Sequence, residues 1–201
     1  MNKPLLILDL DETLIYSIPT EEYQNEKYDF LIGEDFYVKK RPHVEDFLLE
    51  ISEHFDLAVW TAATSGYGQK IVKELFDKNN LEILFFHSRS NCVSKEYVRI
   101  GDDYYPQQYF IKDLSKIKKK FNLDKVLMVD DIKLSLQRNY GNLVHVTPFR
   151  GDSEDTHLLS LKEYLLSIKN EENLRKIEKR FWKEKVAIDT YIDSTKKKPK
   201  M

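Results

Sequence analysis

Short continuous apolar runs alternate with segments of helical periodicity along most of the chain. Leu5 to Leu8, Leu57 to Trp60, Ile83 to Phe86, Val126 to Val129 and Leu143 to Val146 each read as a buried strand, because no polar position interrupts them. Between them, Val44, Phe47, Leu48, Ile51 and Phe55 recur at helical spacing after Arg41-Pro42, where a proline suits a helix's first turn. A second helix is predicted over Tyr67 to Lys78, a third on Leu158, Leu161, Leu165 and Ile168, and a fourth on Leu174, Ile177 and Phe181. Short helices should follow Asp113 and Asp131. Strands alternating with helices imply an α/β fold built on a doubly wound parallel sheet. Two stretches break the alternation: residues 17–40, which predict a small antiparallel β insert around Phe36-Tyr37-Val38, and residues 88–111. Neither is long enough for a large cap domain.

The 201 residues, 41% of them apolar, can bury one substantial core, so the predicted layout is one domain with appendages. That domain covers 1–170 with the insert at about 17–40; a C-terminal helix covers 171–192, and a basic tail at 193–201 lacks apolar periodicity and is expected to be disordered. No run approaches the ~20 apolar residues that cross a bilayer, and the apolar run after Met1 to Pro4 meets two aspartates too soon for a signal peptide. The single cysteine, Cys92, excludes an internal disulfide and fits a reducing compartment. A soluble intracellular protein with no membrane partner is the expectation.

The formal net charge of −2 conceals an uneven distribution. From Glu171 onward ten Lys/Arg face six Asp/Glu, a net of +4, which leaves −6 on residues 1–170. An acidic principal domain argues against a nucleic-acid partner.

The candidate chemistry lies where strands end, since ligands of such sheets gather at the carboxyl ends of the strands. Asp9, Thr61 and Asp130-Asp131 all fall there. An extended Asp9-Leu10-Asp11 projects two carboxylates the same way, and with a phosphate between them one can attack while the other transfers protons. Two such carboxylates repel each other and the phosphate unless cations intervene. A hard Mg²⁺ ion needs a carboxylate or two plus substrate oxygen, which Asp9 and Asp131 provide. Lys112 is the candidate to offset negative charge, and Thr61 to donate a hydroxyl hydrogen bond to phosphoryl oxygens. The five histidines show no ligand spacing.

In order along the chain stand Asp-Leu-Asp-Glu-Thr-Leu, Arg-Pro-His-Val-Glu-Asp-Phe-Leu, Trp-Thr-Ala-Ala, Phe-Ile-Lys-Asp-Leu-Ser and Val-Asp-Asp. This set resembles the haloacid-dehalogenase superfamily and, within it, the RNA polymerase II C-terminal-domain phosphatases, or NLI-interacting-factor-like phosphatases, over roughly residues 4–170. The resemblance implies a Rossmann-like α/β domain without a large cap. It further implies a protein serine/threonine phosphatase that forms an aspartyl phosphate on Asp9, with Asp11 as general acid and base. Thr61 and Lys112 would hold the phosphoryl group, and Asp9, Asp131 and the backbone carbonyl of Asp11 would bind Mg²⁺. Asp130 would orient Lys112. Where Asp131 stands, relatives often carry Asn, and either residue is a competent ligand. Thr13, Tyr67 and Arg89 are candidate substrate contacts, the last two by local alignment with groove positions of the family. The implied partner is a phosphorylated protein or peptide, and family analogy adds the nucleus to the cytoplasm as a place of residence. The oligomeric state is open.

The same motifs also serve phosphatases of small metabolites and of nucleic-acid 3′ ends, since fold does not dictate substrate. A non-catalytic version of the domain binds peptides in a mitochondrial protein-import subunit, but such a protein carries a targeting segment and a membrane span that this sequence does not show.

Overall fold

The structure is a computed structural model and describes residues 3–23, 27–98 and 106–188. In chain order its regular elements are β1 (Leu5–Leu8), β2 (Ile15–Pro19), β3 (Phe30–Ile32), β4 (Phe36–Lys40), α1 (Val44–Ser52), β5 (Asp56–Trp60), α2 (Ser65–Leu75), β6 (Phe86–His87), β7 (Val93–Val98), β8 (Pro106–Ile111), β9 (Val126–Asp130), β10 (Leu143–His145) and α3 (His157–Ile168). Five strands form the central sheet in the order β10-β9-β1-β5-β6, and every pairing in it is parallel.

Because side chains alternate across a strand, the apolar runs feed two layers at once. Leu6, Leu8, Val59, Leu127 and Val129 join a large cluster with the inward faces of α1, α2 and α3. Ile7, Ala58, Trp60 and Met128 join a smaller cluster with Leu114, Ile117 and Leu136. The second face is covered by short 3₁₀ turns, Leu114–Lys116 and Lys133–Leu136, where the sequence predicts short helices. Burying such a Leu, Ile or Val side chain contributes about 1.5–3 kcal/mol, so these runs dominate the assembly of the sheet.

The insert is an antiparallel sheet in the order β2-β4-β3, and residues 88–111 contain the antiparallel hairpin β7-β8. α1 starts later than expected, at Val44, because His43 takes a left-handed conformation (φ 67°) and leaves Pro42 outside the helix. α2 ends at Leu75 and is followed by a 3₁₀ turn at Asp77–Asn79. The strand expected over Ile83 to Phe86 is regular only at Phe86–His87, although Leu84 N–H to Leu57 O (2.8 Å) already starts the pairing.

The continuous fourth helix expected on Leu174, Ile177 and Phe181 is absent. Asn173 caps a 3₁₀ turn at Leu174–Lys176, and the Lys179 ammonium donates to the carbonyls of Leu174 (2.6 Å) and Ile177 (2.8 Å), acceptors that a helix would use for its own ladder. Helical backbone resumes at 182–188, with Trp182 buried and Phe181 exposed. The remainder of that expected helix and the basic tail lie outside the described residues.

Candidate active site

Three adjacent strands, β9, β1 and β5, end at one place. Asp9 follows β1 and anchors its N–H to Val129 O on β9 (3.1 Å), and Asp130 closes β9. Thr61 follows β5 and donates its N–H to His87 O (3.0 Å). α2 can approach this corner because Gly68 lacks a side chain: a Cβ there would lie 2.8 Å from the Phe86 ring and 3.2 Å from Thr61 Cγ2. Lys112 arrives separately, at the end of the β7-β8 hairpin, and its N–H is fixed to Ser135 O (2.7 Å).

The Lys112 ammonium is buried between two carboxylates, 2.7 Å from Asp9 Oδ1 and 2.7 Å from Asp130 Oδ2. Asp130 is fully buried and spends its other oxygen on the Ile132 N–H (2.7 Å). Burial alone would lower the Lys112 pKa, but the charges of Asp130 and Asp9 outweigh it and raise the pKa above its ordinary value. Burial also pushes the Asp9 carboxyl up, opposed chiefly by Lys112. Removing these charges from water costs several kcal/mol per ion before their attraction offsets it, so the arrangement persists only as a set.

Beyond Asp9 the chain turns sharply: the N–H groups of Thr13, Leu14 and Ile15 converge on Leu10 O, and Glu12 sits in a left-handed conformation (φ 56°). The turn separates the side chains that follow. Asp11 accepts the Tyr67 hydroxyl at 2.5 Å, and Tyr67 also bonds Ser17. Burial raises the Asp11 pKa, with the Tyr67 bond acting against it. Thr13 is fully buried and reaches Asp131 Oδ1 at 3.4 Å. Asp131 is partly buried and is pushed up to about 6 by burial and then by the like charges of Asp130 and Glu12.

One oxygen from each of Asp9, Asp130 and Asp131 lies within 4.8 Å of the others, an all-oxygen set that fits a hard divalent cation. Since both Asp130 oxygens already have partners, Asp9 and Asp131 are the better donors. The Asp11 side chain is not part of this cluster. Thr61 Oγ accepts the Ala63 N–H (3.0 Å), which leaves its hydroxyl hydrogen available to donate.

A cleft of about 260 Å³ opens over this floor, lined by Asp9, Asp11, Thr61, Asp131, Arg89 and Phe110 among others. Arg89 is held by Ala62 O (2.6 Å) and lies over the Phe110 ring at 5.1 Å. Of the sequence candidates, the structure brings Asp9, Asp11, Thr61, Arg89 and Asp131 to the cleft, with Lys112 and Asp130 directly behind Asp9. Tyr67 and Thr13 do not line it; they stand behind Asp11 and Asp131, since the turn after Asp9 carries both partners outward. Glu12 and Phe110 line the cleft without having been singled out as contacts. A further residue that the sequence does not mark is Arg41, buried, with its guanidinium forked onto Asp155 (3.0 and 2.8 Å) and on Thr13 O (3.1 Å). Its place in Arg-Pro-His-Val was the available signal, and the planar fork of arginine suits it to a buried bidentate pair.

The parallel sheet with carboxylates and a lysine at its carboxyl ends defines an α/β domain of the haloacid-dehalogenase type. Within that class the chain belongs to the family described as NLI interacting factor-like phosphatase, whose sequence model matches residues 4–175. It is 28% identical over 193 residues to nuclear envelope morphology protein 1 of Saccharomyces cerevisiae, covering 87% of this chain and 41% of that one. It is 31% identical to CTD small phosphatase-like protein 1 of Caenorhabditis elegans, covering 80% and 30%. A CTD phosphatase-like protein of Invertebrate iridescent virus 3 is 30% identical, with 83% of this chain and 97% of that one covered. The chain thus spans less than half the length of the first two relatives. In fold it is similar to Fcp1, an essential RNA polymerase II CTD phosphatase, with a TM-score of 0.53 at 18% identity over 99% of this chain and 55% of that one. No helix among the described residues is long and apolar enough to cross a membrane.

Proposed function

We propose that the chain is a Mg²⁺-dependent phosphatase that hydrolyses phosphoserine and phosphothreonine in proteins through an aspartyl phosphate on Asp9. The observation that carries this reading is Asp9 at the floor of an open cleft, with one oxygen held by Lys112 and the second left for reaction. Family membership and the names of the relatives support the reaction class.

In this reading the free Asp9 oxygen bonds to phosphorus as the phosphorus–oxygen bond to the seryl or threonyl side chain breaks, and Asp11 gives its proton to the departing oxygen. Burial raises the Asp11 pKa above the ordinary carboxyl value, the direction that favours the protonated form a general acid needs. Asp11, now ionised, then takes a proton from the water that releases phosphate, and Asp9 returns as carboxylate. Lys112 and the Thr61 hydroxyl offset phosphoryl charge throughout. Asp9, Asp131 and the Asp11 carbonyl would hold Mg²⁺, which when bound supplies electrostatic stabilisation of phosphoryl oxygens. A cleft walled by the small residues Ala62 and Ala63, with Arg89 over Phe110 at its margin, leaves room for a polypeptide. Cys92 is unpaired, which fits the cytoplasm or nucleus.

The test is hydrolysis of p-nitrophenyl phosphate with and without Mg²⁺, followed by a panel of phosphopeptides and 3′-phosphorylated oligonucleotides. Turnover should require Mg²⁺, favour phosphopeptides and vanish in Asp9→Asn at unchanged fold. Beryllofluoride, an acyl-phosphate mimic, should load Asp9 and not Asp11. Full activity of Asp9→Asn would overturn the mechanism, and preference for oligonucleotides would overturn the substrate class.

A further inference from the structure

The sheet's β10 edge borders a second hollow of about 540 Å³, formed with the C-terminal segment and lined by residues other than those of the Asp9 cleft. Five Lys/Arg side chains line it, Lys133, Arg175, Lys176, Lys179 and Arg180, against one carboxylate, Glu178. That carboxylate pairs with Arg180, whose Nη2 lies 2.6 Å from it, and the Lys179 ammonium is committed to backbone carbonyls, which leaves Lys133, Arg175 and Lys176 as the cations offered to a ligand. Lys133 and Lys176 have no ion-pair partner among the described residues, and the Arg175 contact with Asp124 is long at 3.8 Å. The wall is built rather than incidental. Lys179 pins the carbonyls of Leu174 and Ile177, and the 140–142 turn packs so closely that a Cβ on Gly141 would lie 3.1 Å from Arg175 O. Tyr140 and Phe181, both more than half exposed, add apolar surface to the rim.

This hollow is joined to the Asp9 cleft by consecutive residues: Asp131 and Ile132 line the cleft, and Lys133 lines the hollow. His145, also in the hollow, donates Nε2 to Asp131 O at 2.9 Å. We infer that the β10 hollow is a docking groove for an acidic segment of the phosphoprotein substrate, rich in Asp and Glu and flanking the residue presented to Asp9. The occupant's identity rests on the protein-phosphatase reading; the groove's affinity for acidic peptide does not. Charge complementarity selects a short segment, because residues 1–170 carry a net −6 that repels any polyanion spread over the wider surface. A concave groove likewise suits a chain better than a planar lipid surface.

The experiment uses the full chain and the double charge reversal Arg175→Glu/Lys176→Glu, two exposed positions remote from Asp9 in sequence. Fluorescence anisotropy with a labelled, unphosphorylated Asp/Glu-rich peptide should show binding to wild type and at least about tenfold weaker binding to the double variant. In parallel, kcat/KM is compared for phosphoserine peptides with an acidic or a Ser/Asn extension. The acidic peptide should be favoured by wild type, and that preference should disappear in the variant while the neutral peptide is turned over equally by both. Equal anisotropy for both proteins overturns the groove, as does a loss confined to single-stranded oligonucleotide or phosphatidylserine vesicles. If wild type hydrolyses neither peptide, the catalytic reading fails and anisotropy alone decides the groove.

Discussion

Lys112 and Arg41 are both fully buried cations, and both steady the stretch from Asp9 to Thr13, but they finish their bonds differently. Arg41 forks onto both oxygens of Asp155, donates to Thr13 O and packs over Phe149 at 5.4 Å, so each of its three guanidinium nitrogens is bonded within the fold. Lys112 meets two carboxylates, Asp9 and Asp130, with an ammonium that has three donors. One ammonium donor is left over from these two pairs, beside the Asp9 carboxylate that lines the cleft. A buried ion pair closed on itself acts as a clamp. One left a donor short acts as a receptor for charge, and its neighbours sit beside the proposed Mg²⁺ set.

Breaking the clamp should produce the largest change. Arg41→Met strands Asp155 and the Thr13 carbonyl, and should lower unfolding free energy by about 3 kcal/mol, the lower end for a broken buried pair because Asp155 is partly exposed. Urea unfolding checks this, with the midpoint moving at constant slope. Turnover per folded molecule should change only a few-fold, and adding Asp155→Asn should recover part of the loss. Lys112→Met strands Asp9 and Asp130 and so costs stability as well, but it should differ in also lowering kcat per folded molecule on the order of 10²–10³-fold. Lys112→Arg should not restore activity, because a planar fork cannot occupy a point between two carboxylates. If Arg41→Met lost turnover as deeply as Lys112→Met, the distinction between clamp and receptor would be wrong.

The two cations also differ in how far the sequence announced them. Continuous apolar runs such as Val126 to Val129 have one way to be buried, and Asp9, Asp130 and Asp131 at their ends were legible with them. Lys112 was legible from its motif, although the hairpin that delivers it was not. The roles of Thr13 and Tyr67 were hidden because they depend on a left-handed Glu12, a conformation with no glycine to signal it. The helix expected on Leu174, Ile177 and Phe181 fails for a related reason: three apolar residues at the right spacing satisfy a periodicity test, yet Lys179 captures the carbonyls and Phe181 is left exposed. A side chain that takes backbone acceptors from the ladder leaves no trace in hydrophobic spacing.

Acid should separate the same two regions. Asp131, pushed up to about 6, would bind a proton in competition with the proposed Mg²⁺. Protonation of Asp131 should therefore weaken Mg²⁺ binding by up to about tenfold per pH unit below about pH 6, measured by isothermal titration calorimetry. Asp155 has the opposite shift: despite its burial, Arg41 and the His157 N–H hold its carboxyl below the usual range. Its contribution to stability is present above the unfolded carboxylate value of about 4 and is lost only as pH falls through the lower folded value. At pH 5 Mg²⁺ binding should be weakened while the Arg41 clamp is intact. Unfolding that tracks the loss of Mg²⁺ affinity between pH 6 and 5 would erase the difference.

The smallest effect belongs to Tyr67, which stands between the two regions in character, since its hydroxyl is closed onto Asp11 and Ser17 yet the carboxylate it touches is open to the cleft. Donating to the ionised form of Asp11 lowers that carboxyl's pKa against the rise caused by burial. Tyr67→Phe should let the pKa climb further. On a phosphoserine peptide the departing oxygen needs the Asp11 proton, so the acidic form persists to higher pH and the alkaline limb of the kcat/KM profile moves upward. Loss of the anchor should cost about threefold to tenfold in rate, the value of one hydrogen bond. p-Nitrophenyl phosphate, with a leaving group that scarcely needs protonation, should show a weaker shift. A uniform fall in rate with both profiles unmoved would make Tyr67 a packing residue and leave Asp11 tuned by burial alone.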